Sequence, residues 1–350
     1  MTMRMGSWLA VSAAAMALGM AAAQAAPPEP SKTTPELVEA AKKEGKVVFY
    51  TSIEVQVGEK IAKAFEAKYP GIDVQVERSG SERIFQRLGQ EYTSKIYSAD
   101  VVSTSDAAHF IIWKKDGWLL PHVPEDVVKH FPKEQQEPDG AFAPWRVSLS
   151  VMGYNTKLVK PEEAPKAFTD LLDPKWAGKI VKAHPSYSGT ALTATFQIAR
   201  DIGWDYLEKL AKQRVMQVQS STEPPKKLAL GERAIMADGN EYVLLVMKKE
   251  GNPVEPIYPK EGSPLIISPS AIMKNAPHPN AAKLFQNYLF SLEGQQALID
   301  VGLMRSFHDQ AKEPAGIPTF QDIKVMKEDA AAVVEQVEKI KERYRKAFGT

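Results

Sequence analysis

Between Lys46 and Lys115 short apolar runs and amphipathic stretches follow one another three times, and that order restricts the chain to an α/β fold with a parallel-rich sheet. Lys46 to Tyr50 is a compact β run, and Ile72 to Glu77 alternates apolar and polar residues as a strand does. Ala99 to Ser103 supplies a third strand. Between them, Ile61, Phe65 and Tyr69 form one helical stripe, ended by Pro70-Gly71, and Ile84, Leu88 and Tyr92 form another. A further helix is expected from Asp106 to Lys115. Ahead of this unit, Thr34 caps a helix with Pro35 in its first turn, which Gly45 ends. Thr51 is expected to cap the second helix, with Glu54 completing a capping box.

Pro121 to Pro144 reads as a charged surface excursion, after which Trp145 to Tyr154 resumes a β pattern. Residues 155–262 repeat the α/β style, with a strand at Gly178 to Ala183 and helices over Gly189 to Asp201, Trp204 to Lys212 and Tyr242 to Lys249. Leu265 to Met273 is a second long β-like crossing. Helices follow over Pro279 to Phe290 and Gly294 to Val301. A long helix from Gln321 to Phe348 is expected to turn Val325, Ala332, Val334, Val337 and Ile340 inward. Two β crossings that flank the second unit suggest a chain that leaves one lobe, builds another and returns. Residues 34–146 with 266–308 then make lobe one and 147–265 lobe two, with 309–350 as a C-terminal helical segment on lobe two. A cleft between lobes joined by extended strands can close on a small molecule by hinge rotation.

The N-terminus carries Arg4, an apolar run from Leu9 to Ala23 and the small-residue site Ala23-Gln24-Ala25. That is the pattern of a cleavable export signal, residues 1–25, and the run is short and Ala-rich for a membrane span. Pro27, Pro28 and Pro30 mark 26–33 as a disordered linker. The expected product is a monomer free in the periplasm. The full chain of 350 residues includes 44 Lys+Arg, 43 Asp+Glu and no Cys. Loss of the leader removes one Arg and no acid, leaving no net charge. A neutral chain lacks the basic surplus of a nucleic-acid-binding surface, and the absence of Cys removes thiolate metal sites and disulfides.

Several strings together carry a resemblance: Gly45-Lys-Val-Val-Phe-Tyr-Thr-Ser52, Ala64 to Ile72, Ala99-Asp-Val-Val102, Gly153 to Leu158, Leu172-Asp-Pro-Lys-Trp-Ala-Gly-Lys-Ile180, and Asn280 to Phe285 with Ser291 to Gln296. In this order they resemble the periplasmic solute-binding proteins of ABC importers, in particular the ferric-ion-binding branch with its relatives for phosphonates, phosphate esters and thiamine. The resemblance implies a type II-like periplasmic binding fold: two α/β lobes, each a mixed sheet flanked by helices, joined by two crossing strands. It also implies an interlobe cleft and delivery of the solute to an ABC permease in the inner membrane. No resident cofactor is implied, and Fe3+ would enter only as cargo.

In such a cleft, loops after strands and helix N-termini present free N–H groups that favour anions. The candidate ligand contacts are Thr51 and Ser52 after the first strand, Ser79 and Ser81 beside Gly80, and Ser105 after the third strand. Ser188, Gly189 and Thr190 at a helix start of lobe two join them, because the resemblance implies an anion-holding Ser-Gly turn there. Ferric relatives carry adjacent tyrosines after an Asn; here Gly239-Asn240-Glu241-Tyr242 keeps one and replaces the other by Glu. Glu241 and Tyr242 are thus the candidate ligands if the cargo is ferric. The positions of the relatives' His and Glu hold Glu54 and Ser105, and Arg146, near Ser148 and Ser150, is the nearest candidate for a basic residue. His109, His122, His130, His184, His278 and His308 show no i, i+4 metal spacing, and His122 and His130 read as surface residues. Alternatives are an extracytoplasmic hydrolase using Ser188, for which nothing indicates an orienting acid, and a sensor using the same cleft.

Overall fold

The computed structural model describes residues 28–350; the expected export signal and the first two residues of the expected linker lie outside them. The first unit comprises α1 (Pro35–Glu44), β1 (Lys46–Thr51), α2 (Val55–Lys68), β2 (Asp73–Arg78), α3 (Ser81–Thr93), β3 (Val101–Ser103), α4 (Ala107–Lys115), β4 (Leu119–Leu120) and α5 (Glu125–His130). The long β5 (Ala143–Asn155) leads to β6 (Ile180–Ala183), α6 (Gly189–Asp201), α7 (Trp204–Ala211), β7 (Met216–Val218), α8 (Glu223–Ala229), β8 (Ile235–Asn240), α9 (Glu241–Lys249) and β9 (Val254–Ile257). The chain returns through β10 (Ser263–Met273) and ends with α10 (Pro279–Phe290), α11 (Leu292–Gly302), β11 (Val325–Met326) and α12 (Ala330–Phe348).

One path of strands runs β2-β1-β3-β10-β5-β8-β6-β7. Its two ends are parallel and its middle is antiparallel, because β10 pairs with both β3 and β5 in reverse sense. β5 and β10 thus belong to both halves, and each half is an α/β lobe. Bulges at Ser268/Pro269 in β10 and between Val151 and Gly153 in β5 let the shared strands bend as they cross. In the first lobe Phe49, Phe65 and Phe285 meet edge to face in the core with Trp145. In the second, Phe168, Leu171, Trp176 and Tyr206 close over Ile180 and Ile235.

Register explains how loops gather. In the first lobe Thr51 lies opposite both Arg78 and Ser103, so β1, β2 and β3 end on one line. In the second, Ala183 lies opposite Val218, and Lys182 opposite Asp238. Each lobe therefore presents the loops after its strand ends, and the starts of the following helices, along one edge.

Several local expectations are corrected. Thr51 is the last residue of β1; the cap of α2 is Glu54, whose carboxylate accepts from Gln56 N at 2.7 Å. The C-terminal helix begins at Ala330, not Gln321, and the preceding segment pairs through β11 with β10. Its fully buried residues are Val333, Ile340 and Tyr344, and the expected Ala332, Val334 and Val337 pack partly buried against the cluster that holds Val333 and Ile340. Pro28 to Thr33, expected as a disordered linker, is tethered: Ser31 exchanges main-chain bonds with Val123 and Glu125, satisfying groups that an extended strand edge would otherwise leave open. His122 is also not a surface residue; burial pushes its pKa down to about 4.

Candidate functional site

Of the odd residues of β5, Trp145, Leu149 and Val151 enter the hydrophobic cores, and Val147 is fully buried. The even ones, Arg146, Ser148 and Ser150, share the opposite face, because side chains alternate along a strand. All three are buried. Ser268 on β10 sits directly across from Arg146. Around this polar face the loops of both lobes converge.

On the first-lobe side, Ser105 N donates to Ser52 Oγ at 3.0 Å, and the hydroxyls of Ser81 and Ser105 are 2.8 Å apart. The Arg146 guanidinium reaches the same group, donating from Nη2 to Ser52 Oγ at 3.0 Å. On the second-lobe side, Ser188 caps α6 by accepting from Ala191 N, and its hydroxyl lies 2.7 Å from that of Ser221. The lobes touch here. A Cβ added at Gly189 would stand 2.6 Å from Asp106 Cβ and 3.0 Å from Ser81 Cβ, so only glycine permits this approach. Arg78 crosses the gap, donating to Ser220 Oγ at 2.8 Å and Thr222 Oγ1 at 3.3 Å. Glu54 bonds Lys226 of α8, and Tyr242 OH accepts from Glu54 N at 3.0 Å. The cleft is closed.

Its electrostatics are unusual. Arg146 is 2% exposed, its Nε has no partner, and Ser52 is its one hydrogen-bond acceptor among the described residues. Burial pushes its pKa down to about 10; Tyr242 opposes the shift, and Arg78, a second cation, adds to it. Among the described residues neither guanidinium pairs with a carboxylate: Arg78 bonds to Ile53 O and two hydroxyls. The Ser150 and Ser268 hydroxyls, on the same face of β5 and β10, are buried without partners among the described residues. A buried cation without a counter-charge is costly, and buried donors are normally paired. The unpaired donors and the positive field define a compartment suited to an anion.

The expected residues therefore divide. Ser52, Ser81, Ser105, Ser188, Gly189 and Tyr242 meet at the cleft. Thr190 is buried in the first turn of α6. Thr51 turns its hydroxyl to Ile53 N, a local contact, and Ser79 joins the sheet through its N–H to Thr51 O. Glu241 goes elsewhere. Its carboxylate accepts from Arg305 Nη2 at 2.8 Å and Nε at 3.3 Å, and from Tyr258 OH at 2.7 Å. The Glu241–Tyr242 donor pair is not assembled, since adjacent residues at a helix start do not face each other. Burial raises the Tyr242 pKa, with Arg146 opposing it. Among the described residues the clusters with metal-ligand spacing are Glu82, Asp106 and His109, and His130, His308 and Asp309; neither contains Glu241 or Tyr242. The Ser188 hydroxyl touches no imidazole: His184 Nδ1 accepts from Ser186 N and its Nε2 meets Thr350. Sequence reasoning missed Arg78 and Ser221. The signal for Ser221 was available, because Ser220-Ser221-Thr222 precedes Glu223-Pro224-Pro225, the pattern of a helix start.

Two lobes sharing two strands, with polar strand-end loops facing across a closed seam, define a two-lobed binding protein. The chain belongs to the family described as "Bacterial extracellular solute-binding protein", whose pattern matches residues 96–332. Among relatives, Iron uptake protein A1 of Synechocystis sp. is 24% identical over 263 residues, covering 71% of this chain and 72% of that protein. Two solved structures share the fold. The periplasmic binding protein AfuA from Actinobacillus pleuropneumoniae, with exogenous fructose-6-phosphate bound, aligns with a TM-score of 0.80 at 23% identity, over 87% of this chain and 99% of that one. Iron-bound HitA from Pseudomonas aeruginosa aligns with a TM-score of 0.73 at 23% identity, over 86% and 99%. No described helix is long and apolar enough to cross a membrane.

Proposed function

We propose that this solute-binding protein is the periplasmic receptor of an ABC importer and that its cargo is a small organic dianion, a phosphate monoester or phosphonate. The observation that carries this reading is Arg146, a buried guanidinium with Arg78 as its charge neighbour and, among the described residues, no carboxylate paired with either. Guanidinium matches the geometry of phosphate oxygens bidentately, and charge-assisted hydrogen bonds are the strong ones. A dianion would balance both cations and use the free serine hydroxyls. The starts of α3, α4 and α6 add N–H groups and a favourable dipole. The AfuA protein, with fructose-6-phosphate bound, is consistent with such cargo.

Function then follows from closure. The open receptor meets solute at the loops of one lobe; the second lobe completes the contacts, excludes water and strengthens each polar interaction. Gly189 against Ser81 and Asp106 permits contact, and Arg78 to Ser220 and Thr222 fastens it. The closed form is what the permease would receive. Bare ferric ion is the weaker reading, because Glu241 is held by Arg305 and two guanidiniums repel a trivalent cation.

The test is isothermal titration of ligand-stripped protein with a hexose monophosphate, glycerol 3-phosphate, 2-aminoethylphosphonate, inorganic phosphate, ferric citrate and ferric chloride. Binding of an organic phosphorus anion at micromolar or lower Kd supports the assignment. Binding of ferric chloride with a visible phenolate band, and of none of the anions, overturns it.

A further inference from the structure

The last helix reaches across the seam. Both ends of α12 are tied to the second lobe. Ahead of it β11 runs parallel to the start of β10 at Ser263 and Pro264, where Gln197 of α6 holds Leu265 through bonds in both directions. At its far end the Tyr344 hydroxyl accepts from Lys182 Nζ of β6 at 2.9 Å and donates to Gln217 of β7 at 2.6 Å. The Thr350 hydroxyl lies 2.7 Å from His184 Nε2, and Arg343 pairs with Glu208 of α7 at 2.9 Å. A helix tied at both ends to one lobe moves with that lobe.

Between those anchors α12 lies against the first lobe. Val333 and Ile340 share a small buried cluster with Leu192 and Phe196 of α6 and with Ala108 of α4. Among the described residues Ala108 is that cluster's single first-lobe member, and it is 3% exposed. Lys341 Nζ donates to Glu82 Oε2 of α3 at 2.7 Å, and both side chains are largely withdrawn from water. The other oxygen of Glu82 meets His109 Nε2 at 2.9 Å, and His109 Nδ1 lies 3.1 Å from Thr104 Oγ1. The landing place adjoins the cleft. Glu82 follows Ser81, and Ala108 comes two residues after Asp106; Ser81 and Asp106 are the residues that Gly189 approaches across the seam. Opening the lobes with α12 riding on the second must therefore uncover Ala108 and part Lys341 from Glu82.

We propose that α12 is an interlobe latch: it travels with the second lobe and, on closure, docks on Ala108 and Glu82 of the first, so that part of the stability of the closed receptor comes from the chain itself. The ion pair can carry weight because it is shielded, where an exposed pair contributes little. Docking also covers apolar surface of α12 and α6 that opening returns to water. Two consequences follow from a latch built in this way. The closed form is populated for part of the time without solute, and a bound solute escapes only after α12 has come off α3 and α4.

The inference concerns closure and does not rest on the identity of the cargo. The chain has no Cys, so Ile96→Cys in the first lobe and Leu230→Cys in the second, both at exposed positions, accept a pair of dyes. Single-molecule energy transfer on the mature protein then reads the closed-to-open ratio with no ligand added. The expected result is a ratio that falls about tenfold in Lys341→Met, the worth of one shielded charge-assisted hydrogen bond. It should fall at least as far in Ala108→Gln, whose longer side chain has no room under the helix, and recover in Lys341→Arg. Arg343→Met, which cuts the bond to α7 on the second-lobe side, should leave the ratio unchanged. Circular dichroism checks the fold of each variant. A ligand-free ratio unchanged in Lys341→Met or in Ala108→Gln, or one that drops as far in Arg343→Met, overturns the proposal. Failure of the cargo reading shows separately, as no shift of the parent on adding a hexose monophosphate while the ligand-free differences persist and support the latch.

Discussion

Replacing Arg146 by Met should separate stability from binding. In the folded protein burial holds the guanidinium pKa at about 10 against a usual 12.5. That difference corresponds to roughly 3 kcal/mol by which the fold disfavours the cation. Because the folded-state pKa lies below the unfolded one, the destabilisation is present throughout pH 5–8 and fades only as pH rises past about 10. Met fills much of the same volume without a charge, and the bond to Ser52, about 1 kcal/mol, is lost. The ligand-free variant is therefore expected to be more stable by about 1–3 kcal/mol, a rise of a few degrees in Tm. Binding should move the other way. Loss of a bidentate charge-assisted contact of about 3 kcal/mol weakens phosphate-ester affinity roughly a hundredfold. Differential scanning calorimetry of stripped protein and titration with a hexose monophosphate read the two effects. A variant that melts lower than the parent and binds the phosphate ester equally well would refute the reasoning, because Arg146 would then be a satisfied structural group.

Gly189→Val should keep the lobes apart, since even a Cβ there meets Asp106 and Ser81 at 2.6 and 3.0 Å; small-angle scattering should show no ligand-induced contraction and affinity should fall at least tenfold. Glu241→Ala should leave phosphate-ester affinity within threefold but destabilise the protein by about 3 kcal/mol, because it leaves Arg305 buried and unpaired; urea unfolding measures it. His122 and His184, both pushed down to about 4 by burial, bind protons more readily when unfolded, so stability should fall as pH drops from 6.5 towards 4. Urea midpoints at pH 7 and 4.5 should converge in the His122→Gln, His184→Gln variant. Lys341→Met should loosen α12 from the first lobe by removing its 2.7 Å pair with Glu82, whose pKa the neighbouring His109 and Lys341 hold at about 2; faster amide exchange in α12 is the readout.

Much of the scaffold was legible because short-range rules govern it. The apolar runs of β1, β2 and β3 and the stripes of α2 and α3 follow simple periods, and both long crossings, β5 and β10, stood out as extended apolar segments. Ends were less legible. Thr51 satisfies the capping pattern, yet pairing with Arg78 and Ser103 extends β1 through it and passes the cap to Glu54. The stretch before α12 looked helical, but β10 offered β11 an open edge to pair with.

The site shows the same division. Residue types and loop positions along the chain were enough to place Ser52, Ser81 and Ser105 at the cleft edge, because a polar loop after a strand and before a helix lies at a known edge of an α/β sheet, and the resemblance added Ser188 and Gly189. Glu241 met the same local test and failed, because Arg305, brought beside it by the pairing of its own backbone with Val147, captures the carboxylate. Which charges face each other is a property of contacts between residues far apart in sequence. Local sequence fixes strands, helices and their polar ends through backbone geometry; only the packed chain decides that Arg146 is buried without a counter-charge, and hence what the cleft can hold.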